Sequence, residues 1–296
     1  MALRFHSTRA AATTRLPRED LTPLTAGAAE PAQLGRGPAT ANQRAFRTIR
    51  LISMRPAEIR VLTYNVRALR DDKAAVAGVI RACAPDVVCV QEAPCLLRWR
   101  HECAELARES GLVVITGGRP ASGNLLLGSW RTKVIATRNA RLTRTRGLDL
   151  HRSQPLLERR GLAMAVLKIS GVRVGFVGLH LGLDAGERAR HVAEVFGHVQ
   201  LLRTAYQTEH LVLAGDVNEL PHQYCWIRFC VRFVDCAAVA GRADELTFPA
   251  VMPDRRIDGI FASQGLQVVD CRVVDLPEVA RASDHRPVLA VLRVPA

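Results

Sequence analysis

The 296-residue chain is 48% hydrophobic with a formal charge of +13, so it can fill a sizeable core and favours an anionic partner: nucleic acid, anionic lipid or a phosphorylated metabolite. No stretch of about 18 uncharged apolar residues is present, which argues against a membrane-spanning helix. Its eight cysteines never fall at CxxC spacing, which argues against structural zinc and for reduced, mostly buried thiols. Lys73, Lys133 and Lys168 are the only lysines among 41 basic residues, so 41 − 3 = 38 are arginines, scattered rather than gathered in runs. Genome composition explains such a surplus as readily as a binding surface does.

Residues 1–57 are rich in Ala, Thr, Pro, Gly and Arg and show no sustained helical or strand period, the pattern of a disordered leader. Their scarcity of acids resembles a transit peptide, while Met54, just before the first apolar run, fits a start codon assigned too far upstream. In the absence of an evident signal peptide the cytoplasm is the expected compartment. Up to residue 58, nine arginines stand against four acids, a net of +5, so 13 − 5 = +8 belongs to the remainder.

From residue 58 a single domain is expected to run to residue 296. Ile59–Val66 reads as a strand, Asp72–Cys83 as a helix closed by Pro85, Asp86–Gln91 as a buried strand, and Cys95–Glu109 as a second helix. A strand-rich stretch follows: Leu112–Thr116, Asn124–Trp130, Lys133–Thr137, then Leu162–Ile169 and Val172–Leu179 joined as a hairpin at Ser170-Gly171. Glu187–Tyr206 is the longest helical pattern. Leu211–Ala214, Ile257–Ala262, Leu266–Val274 and Pro287–Val294 complete the strands. Such an order predicts an α/β fold in which two sheets pack face to face with helices outside.

The chemistry lies in how the strands stop. Apolar runs end at Asn65, at Gln91-Glu92, at His180, at Gly215-Asp216-Val217-Asn218, at Asp258, and at Ser283-Asp284-His285-Arg286-Pro287. Each stop alone passes for a turn, a surface acid or a core histidine. Asp216 and Asn218 project together from one strand end, and the joint recurrence of metal- and phosphate-binding side chains at strand ends points to an active site.

In this order the residues resemble the endonuclease/exonuclease/phosphatase superfamily, which includes pancreatic-type deoxyribonucleases, AP endonucleases, neutral sphingomyelinases and inositol polyphosphate 5-phosphatases. The resemblance covers about residues 59–294; GDxN at 215–218 and SDHxP at 283–287 are its most specific parts, supported by Gly123-Asn124, Arg160-Gly161 and Arg188. It implies a four-layered α/β sandwich, two packed mixed sheets flanked by helices. It also implies a magnesium cofactor, with manganese as a substitute, held principally by Glu92, with Asn65 and Asp284 completing the metal and phosphate environment. Asp216 and Asn218 would join the catalytic group. His285 would act on the attacking water or hold a phosphoryl oxygen, with Asp258 fixing its tautomer. His180 would stabilise transition-state charge, and Arg160 and Arg188 would clamp phosphate unless they form structural ion pairs.

Arg67 replaces the acid that AP endonucleases carry two residues after the first Asn, which argues against abasic-site repair. No basic, aromatic-interleaved insertion marks a DNA-reading loop. The expected function is a metal-dependent phosphodiesterase on a phosphate-ester substrate, nucleic acid foremost. A phosphomonoesterase or phospholipid head-group hydrolase is the second reading and a non-enzymatic binding module the third.

Overall fold

The computed structural model describes residues 58–144 and 159–294; the expectations for residues 1–57 lie outside the described residues. Strand β1 (Glu58–Asn65) leads through a tight turn to helix α1 (Lys73–Cys83) and then β2 (Val87–Gln91). Helix α2 (Trp99–Glu109), β3 (Val113–Gly117) and β4 (Leu125–Gly128) follow, then β5 (Thr132–Arg141), β6 (Gly161–Ile169) and β7 (Val172–His180). Next come α3 (Ala185–Tyr206), β8 (His210–Asp216), α4 (Tyr224–Cys230), β9 (Val234–Asp235) and α5 (Cys236–Val239). Strands β10 (Asp258–Ala262) and β11 (Gln267–Val273), helix α6 (Val279–Ala282) and β12 (Val288–Arg293) close the domain. Among the described residues no helix is long and apolar enough to cross a membrane.

Two six-stranded sheets form, in the orders β11-β12-β1-β2-β4-β3 and β5-β6-β7-β8-β10-β9. Each contains one parallel pair, β1 with β2 and β7 with β8, and each such pair is bridged by a helix, α1 or α3. Period-2 alternation assigns the faces. Val61, Cys89 and Leu126 of the first sheet join Ala163, Phe176 and Val212 of the second in one inner cluster. The opposite faces take Val76, Ile80 and Leu106 from α1 and α2 against Leu62, Tyr64 and Val88, and Val192, Val195 and Trp226 from α3 and α4 against Met164, Val177 and Leu213. The result is the expected four-layered sandwich; each fully buried Val, Leu or Phe contributes about 1.5–3 kcal/mol relative to exposure.

The helices begin where their caps allow. Asp72 Oδ1 accepts the Ala75 amide at 2.9 Å, and Asp184 Oδ1 accepts that of Glu187 at 2.8 Å. The second helix starts at Trp99 rather than Cys95, because Arg98 takes a left-handed φ of 62° and Leu96 and Leu97 stay exposed. The strand expected at Lys133–Thr137 extends to Arg141, sustained by nine paired positions with β6. The short α4 lies in a stretch not assigned from the sequence: seven residues give too few turns for a period to show, although Cys225, Trp226 and Phe229 are buried at helical spacing. The Ser170-Gly171 hairpin forms as expected, with both residues at positive φ.

The parallel pairs bring their C-terminal ends to one edge of the sandwich. There Gly215 lies opposite Leu179 so closely that an added Cβ would sit 1.9 Å from the Leu179 carbonyl oxygen. Gly215→Ala should therefore destabilise the fold by about 3 kcal/mol or more, measured by chemical denaturation; a variant of wild-type stability would show that β7 and β8 need not approach this closely.

Candidate active site

Strand register sets the geometry. Asn65 pairs with Gln91 across β1 and β2, His180 with Asp216 across β7 and β8, and Asp216 with Asp258 across β8 and β10. The two sheets meet through side chains: Asn65 Nδ2 lies 3.2 Å from both Glu92 Oε1 and Asp216 Oδ2, and 3.5 Å from His285 Nε2. His285 Nδ1 lies 2.9 Å from Asp258 Oδ2, and His180 Nε2 is 3.4 Å from Asp216 Oδ2. Asn65, His180, Asp216, Asp258 and His285 are all buried, whereas Glu92 and Asp284 are half-buried.

Local backbone structure holds these groups. Asn218, at a φ of 53°, donates its amide N–H to Asp216 Oδ1 at 2.9 Å and its side-chain amide to the Leu181 carbonyl at 3.0 Å, which fixes the Asp216 rotamer. Glu92 also occupies the left-handed region, at a φ of 52°, a conformation that costs about 1–3 kcal/mol when other contacts enforce it. The contacts are visible: the Glu92 carbonyl accepts the Ala68 amide at 2.8 Å, and the next amide, of Ala93, donates to the Gly123 carbonyl at 2.8 Å. The adjoining Asn124 donates its side-chain amide to the Gly161 carbonyl at 2.8 Å, tying the start of β4 to the start of β6.

Electrostatics separates the groups. Burial pushes Asp216 up to about 7, with the Asp258 charge adding to the rise. For His285, burial acts to lower the value, but the charge and hydrogen bond of Asp258, with Asp216 and Asp284, outweigh it and raise the imidazole to about 10. Burial holds His180 well below the usual histidine range, helped by Arg160 and His285, so its ring is neutral at pH 7.

Asp216, Asp258 and His285 place ligand atoms within 4.8 Å of one another, and Asp258 Oδ1 is a buried acceptor without a partner. The donor set fits a divalent cation, because three carboxylates, Glu92, Asp216 and Asp258, gather around one cationic imidazole. Two locations compete for it. In the buried trio His285 Nδ1 is committed to Asp258 and only Nε2, 3.8 Å from Asp216 Oδ2, is left to meet a cation, so coordination there would require the cationic ring to give up its Nε2 proton. The half-buried Glu92 instead offers carboxylate oxygens, the donors that hard cations take, and is the better match; Asn65 beside it turns its Nδ2 to Glu92 and its Oδ1 to the Arg67 amide at 3.1 Å.

The structure brings nine of the ten sequence-predicted residues to this edge or its rim. Asp284 is there, but its Oδ2 meets Arg67 Nε at 3.3 Å. Arg160 immediately precedes Gly161, which pairs with His180. Arg188 is a correction. Its Nε binds Glu219 Oε1 at 2.8 Å, and its Nη1 lies 3.2 and 2.6 Å from the Gly182 and Leu183 carbonyls. It is a buried structural ion pair that shapes the loop after His180, not an open phosphate clamp.

Several supporting residues were not singled out from the sequence. Ser283 Oγ donates to the Asn65 carbonyl at 2.7 Å, linking the last loop to β1. Thr247 Oγ1 accepts the amides of Ile257 and Asp258 at 3.1 and 3.2 Å, and the Phe248 ring packs 4.7 Å from that of His285. Ser283 sits inside the SDHxP stretch and was readable; Thr247 and Phe248 act through a loop whose return to the site no local pattern announces. Loops leaving this same edge also expose Leu96, Leu97, Leu183, Val251 and Met252.

Comparison with known proteins agrees with this constellation. No curated protein matches the sequence. Among solved structures, an endonuclease/exonuclease/phosphatase from Bacteroides vulgatus superposes with a TM-score of 0.64 at 19% identity, over 80% of this chain and 99% of that one. A Bacteroides thetaiotaomicron protein described as a mannosyl-6-phosphatase gives 0.65 at 18%, over 79% and 99%. D. rerio TDP2 complexed with single-strand DNA product gives 0.61 at 15%, over 80% and 99%. These likenesses show a shared fold. The sequence model of the Endonuclease/Exonuclease/phosphatase family matches residues 62–285, a span holding every residue of the cluster from Asn65 to His285, and the chain belongs to that family of phosphoester hydrolases.

Proposed function

We propose that the protein is a divalent-metal-dependent phosphodiesterase that cuts nucleic acid with little sequence preference. The observation that carries this reading is the buried Asn65–Asp216–Asp258–His285 cluster lying beside Glu92 at a solvent-reachable edge. Magnesium, with manganese as its substitute, would be held by Glu92, with Asn65 and Asp284 completing its environment. When bound it would supply Lewis-acid polarisation of the phosphoryl oxygen.

The chain's own residues divide the remaining work. His285, held cationic through Asp258, binds a phosphoryl oxygen; the raised value favours this over the alternative of activating water. Asp216, near 7, is then the group poised to take the proton of the attacking water. Asn218 keeps Asp216 in place, and neutral His180 with Arg160 stabilises charge developing on the phosphoryl group. A charge of +8 over residues 59–296 favours nucleic acid, as does the DNA product bound by the fish relative. The exposed Leu96, Leu97, Leu183, Val251 and Met252 favour the second reading, a phospholipid head-group hydrolase whose leaving group is apolar.

Glu92→Ala should abolish magnesium-stimulated hydrolysis of plasmid DNA and bis-p-nitrophenyl phosphate while leaving thermal stability intact, and His285→Ala should lower kcat by roughly 10²-fold or more. Near-wild-type turnover in either variant at saturating magnesium would remove that residue from the site. A chain beginning at Met54 should match the full chain in Tm and activity, because residues 1–57 lack the apolar periodicity needed to join a core; loss of either would assign those residues to the domain.

The pKa shifts also set a stability profile. His285 binds its proton more tightly folded than unfolded from 6.5 to about 10, so its stabilising effect is complete below pH 6.5 and lost as the pH climbs to about 10. Asp216, raised from 3.8 to about 7, runs in the same direction over a lower window. The Tm of protein in chelator should fall as the pH rises from about 7 to about 9, and His285→Gln should flatten that slope. A Tm that stays level or rises in wild-type protein would contradict the buried cationic imidazole.

DNA binding by Glu92→Ala should weaken steeply between about 50 and 200 mM salt, by roughly 10³-fold or more if six or more phosphates are contacted. Salt-insensitive DNA binding with efficient cleavage of a lipid head group would replace the nuclease reading with the second.

A further inference from the structure

Beside the catalytic edge lies a cleft of about 210 Å³ whose lining includes Arg141, Arg144, Arg159, Arg160, Glu187 and His191. It forms where strand ends meet a helix start. Arg141 pairs with Gly161 across β5 and β6, and the Leu142 amide donates to the Arg160 carbonyl at 3.0 Å, which sets the two strand ends side by side. Glu187 and His191 belong to the first turns of α3. Gly161 in turn pairs with His180, so Arg160 forms a wall common to the cleft and the active site. The charge of Arg160 is felt at both His180 and His191.

Among the described lining residues, the guanidinium groups of Arg141, Arg159 and Arg160 stand against the single carboxylate of Glu187. Among the described residues Arg141, Arg159 and Arg160 form no ion pair. Two buried nitrogens, Arg160 Nε and His191 Nδ1, have no hydrogen-bond partner, while His191 Nε2 contacts the Thr143 carbonyl at 3.0 Å. A buried guanidinium N–H without a protein acceptor is rare in folded proteins and leaves a donor for water or a bound anion to meet. Guanidinium groups take phosphate oxygens in paired, planar hydrogen bonds. Among the described residues the lining contains no Phe, Tyr or Trp, the rings on which a base would stack.

We infer that this cleft binds a second phosphate of the substrate, adjacent to the one undergoing hydrolysis, so that the enzyme prefers esters carrying at least two phosphates. The inference rests on the phosphoesterase reading and narrows it. Phosphate contacts position a nucleic-acid backbone without reading sequence, and a cleft of this composition would set the register of a strand whatever its bases. A small bisphosphate presents the same chemistry.

Two measurements test it, on the full chain. In chelator, the affinity of the Glu92→Ala protein for inorganic phosphate is compared with that of the same protein also carrying Arg141→Ala and Arg159→Ala; the added pair should weaken binding at least about tenfold or remove one bound phosphate per chain. This arm needs no turnover, so it decides the cleft even if the phosphoesterase reading fails. With magnesium, kcat/KM is measured for a short thymidine oligonucleotide, a hexose bisphosphate and bis-p-nitrophenyl phosphate. The ratio of a two-phosphate to the one-phosphate substrate should fall at least about tenfold in the Arg141→Ala, Arg159→Ala protein, mainly through KM. A fall confined to the oligonucleotide identifies a nucleic-acid backbone, and one confined to the bisphosphate a small substrate. Equal losses on all three substrates, or unchanged phosphate binding, would overturn the inference. Arg141 and Arg159 are exposed; should the double substitution lower the Tm, Arg159→Ala alone serves.

Discussion

Asp216 and Asp258 face each other directly across the antiparallel pair of β8 and β10, each only 2% exposed. Two like charges so placed repel by an amount on the order of 4 kcal/mol at 4 Å even with generous screening, and both have lost most of their hydration. The surrounding groups offset this cost. The Asn65 amide reaches Asp216 from the other sheet, the Asn218 backbone N–H caps its second oxygen, and the His285 imidazole binds Asp258. The compensation remains incomplete, since Asp216 holds its proton up to about 7 and one Asp258 oxygen lacks a partner. A fold that tolerates such a deficit has a place for added positive charge. It is also a fold whose two sheets are bound to each other by the residues of the site.

That coupling explains how much could be read in advance. Strand ends were legible because short apolar runs stopping at Asn65, Glu92, His180 and Asp216 leave a local signature, and the parallel pairs carry those stops to one edge. What escaped was whatever depends on a partner distant in sequence. Arg188 followed the right histidine, yet Glu219, 31 residues on, claims it. Arg67 looked like a departure from a relative's acid; in place it pairs with Asp284, on the far side of the chain. Trp226 and Phe229 were invisible as a helix because seven residues cannot display a period, although their burial against Phe261 helps to hold the outer layer. Boundaries failed for a different reason, as at Arg98, where a single left-handed residue delays the second helix by one turn.

Backbone strain is concentrated where side chains must be aimed. Glu92 and Asn218 both sit at positive φ, and the turn at Arg67, Ala68 and Leu69 does so three times in succession. Asparagine tolerates this region; glutamate does so at a cost. The cost is met by hydrogen bonds linking the 67–69 turn, Glu92 and the Gly118–Gly123 loop, so the carboxylate is presented by rigid backbone rather than by a flexible side chain. Gly215 serves the same end differently, by letting β7 and β8 approach until His180 and Asp216 stand side by side.

The two halves of the sandwich share a plan but deliver different chemistry. Each supplies a parallel strand pair bridged by a helix and a set of polar strand ends. From the first sheet come the buried Asn65, which donates its amide to the cluster, and the half-buried Glu92, a carboxylate of the kind suited to an ion that retains water. From the second come His180, Asp216 and Asp258, sealed and shifted in pKa, suited to holding charge and moving protons where water is excluded. His285 reaches both, arriving on the loop before β12 with Asn65 on one ring nitrogen and Asp258 on the other. A phosphate ester requires both kinds of group at once, one to neutralise its oxygens and one to manage the attacking water. The seam between the sheets is where this chain brings the two kinds within hydrogen-bonding distance.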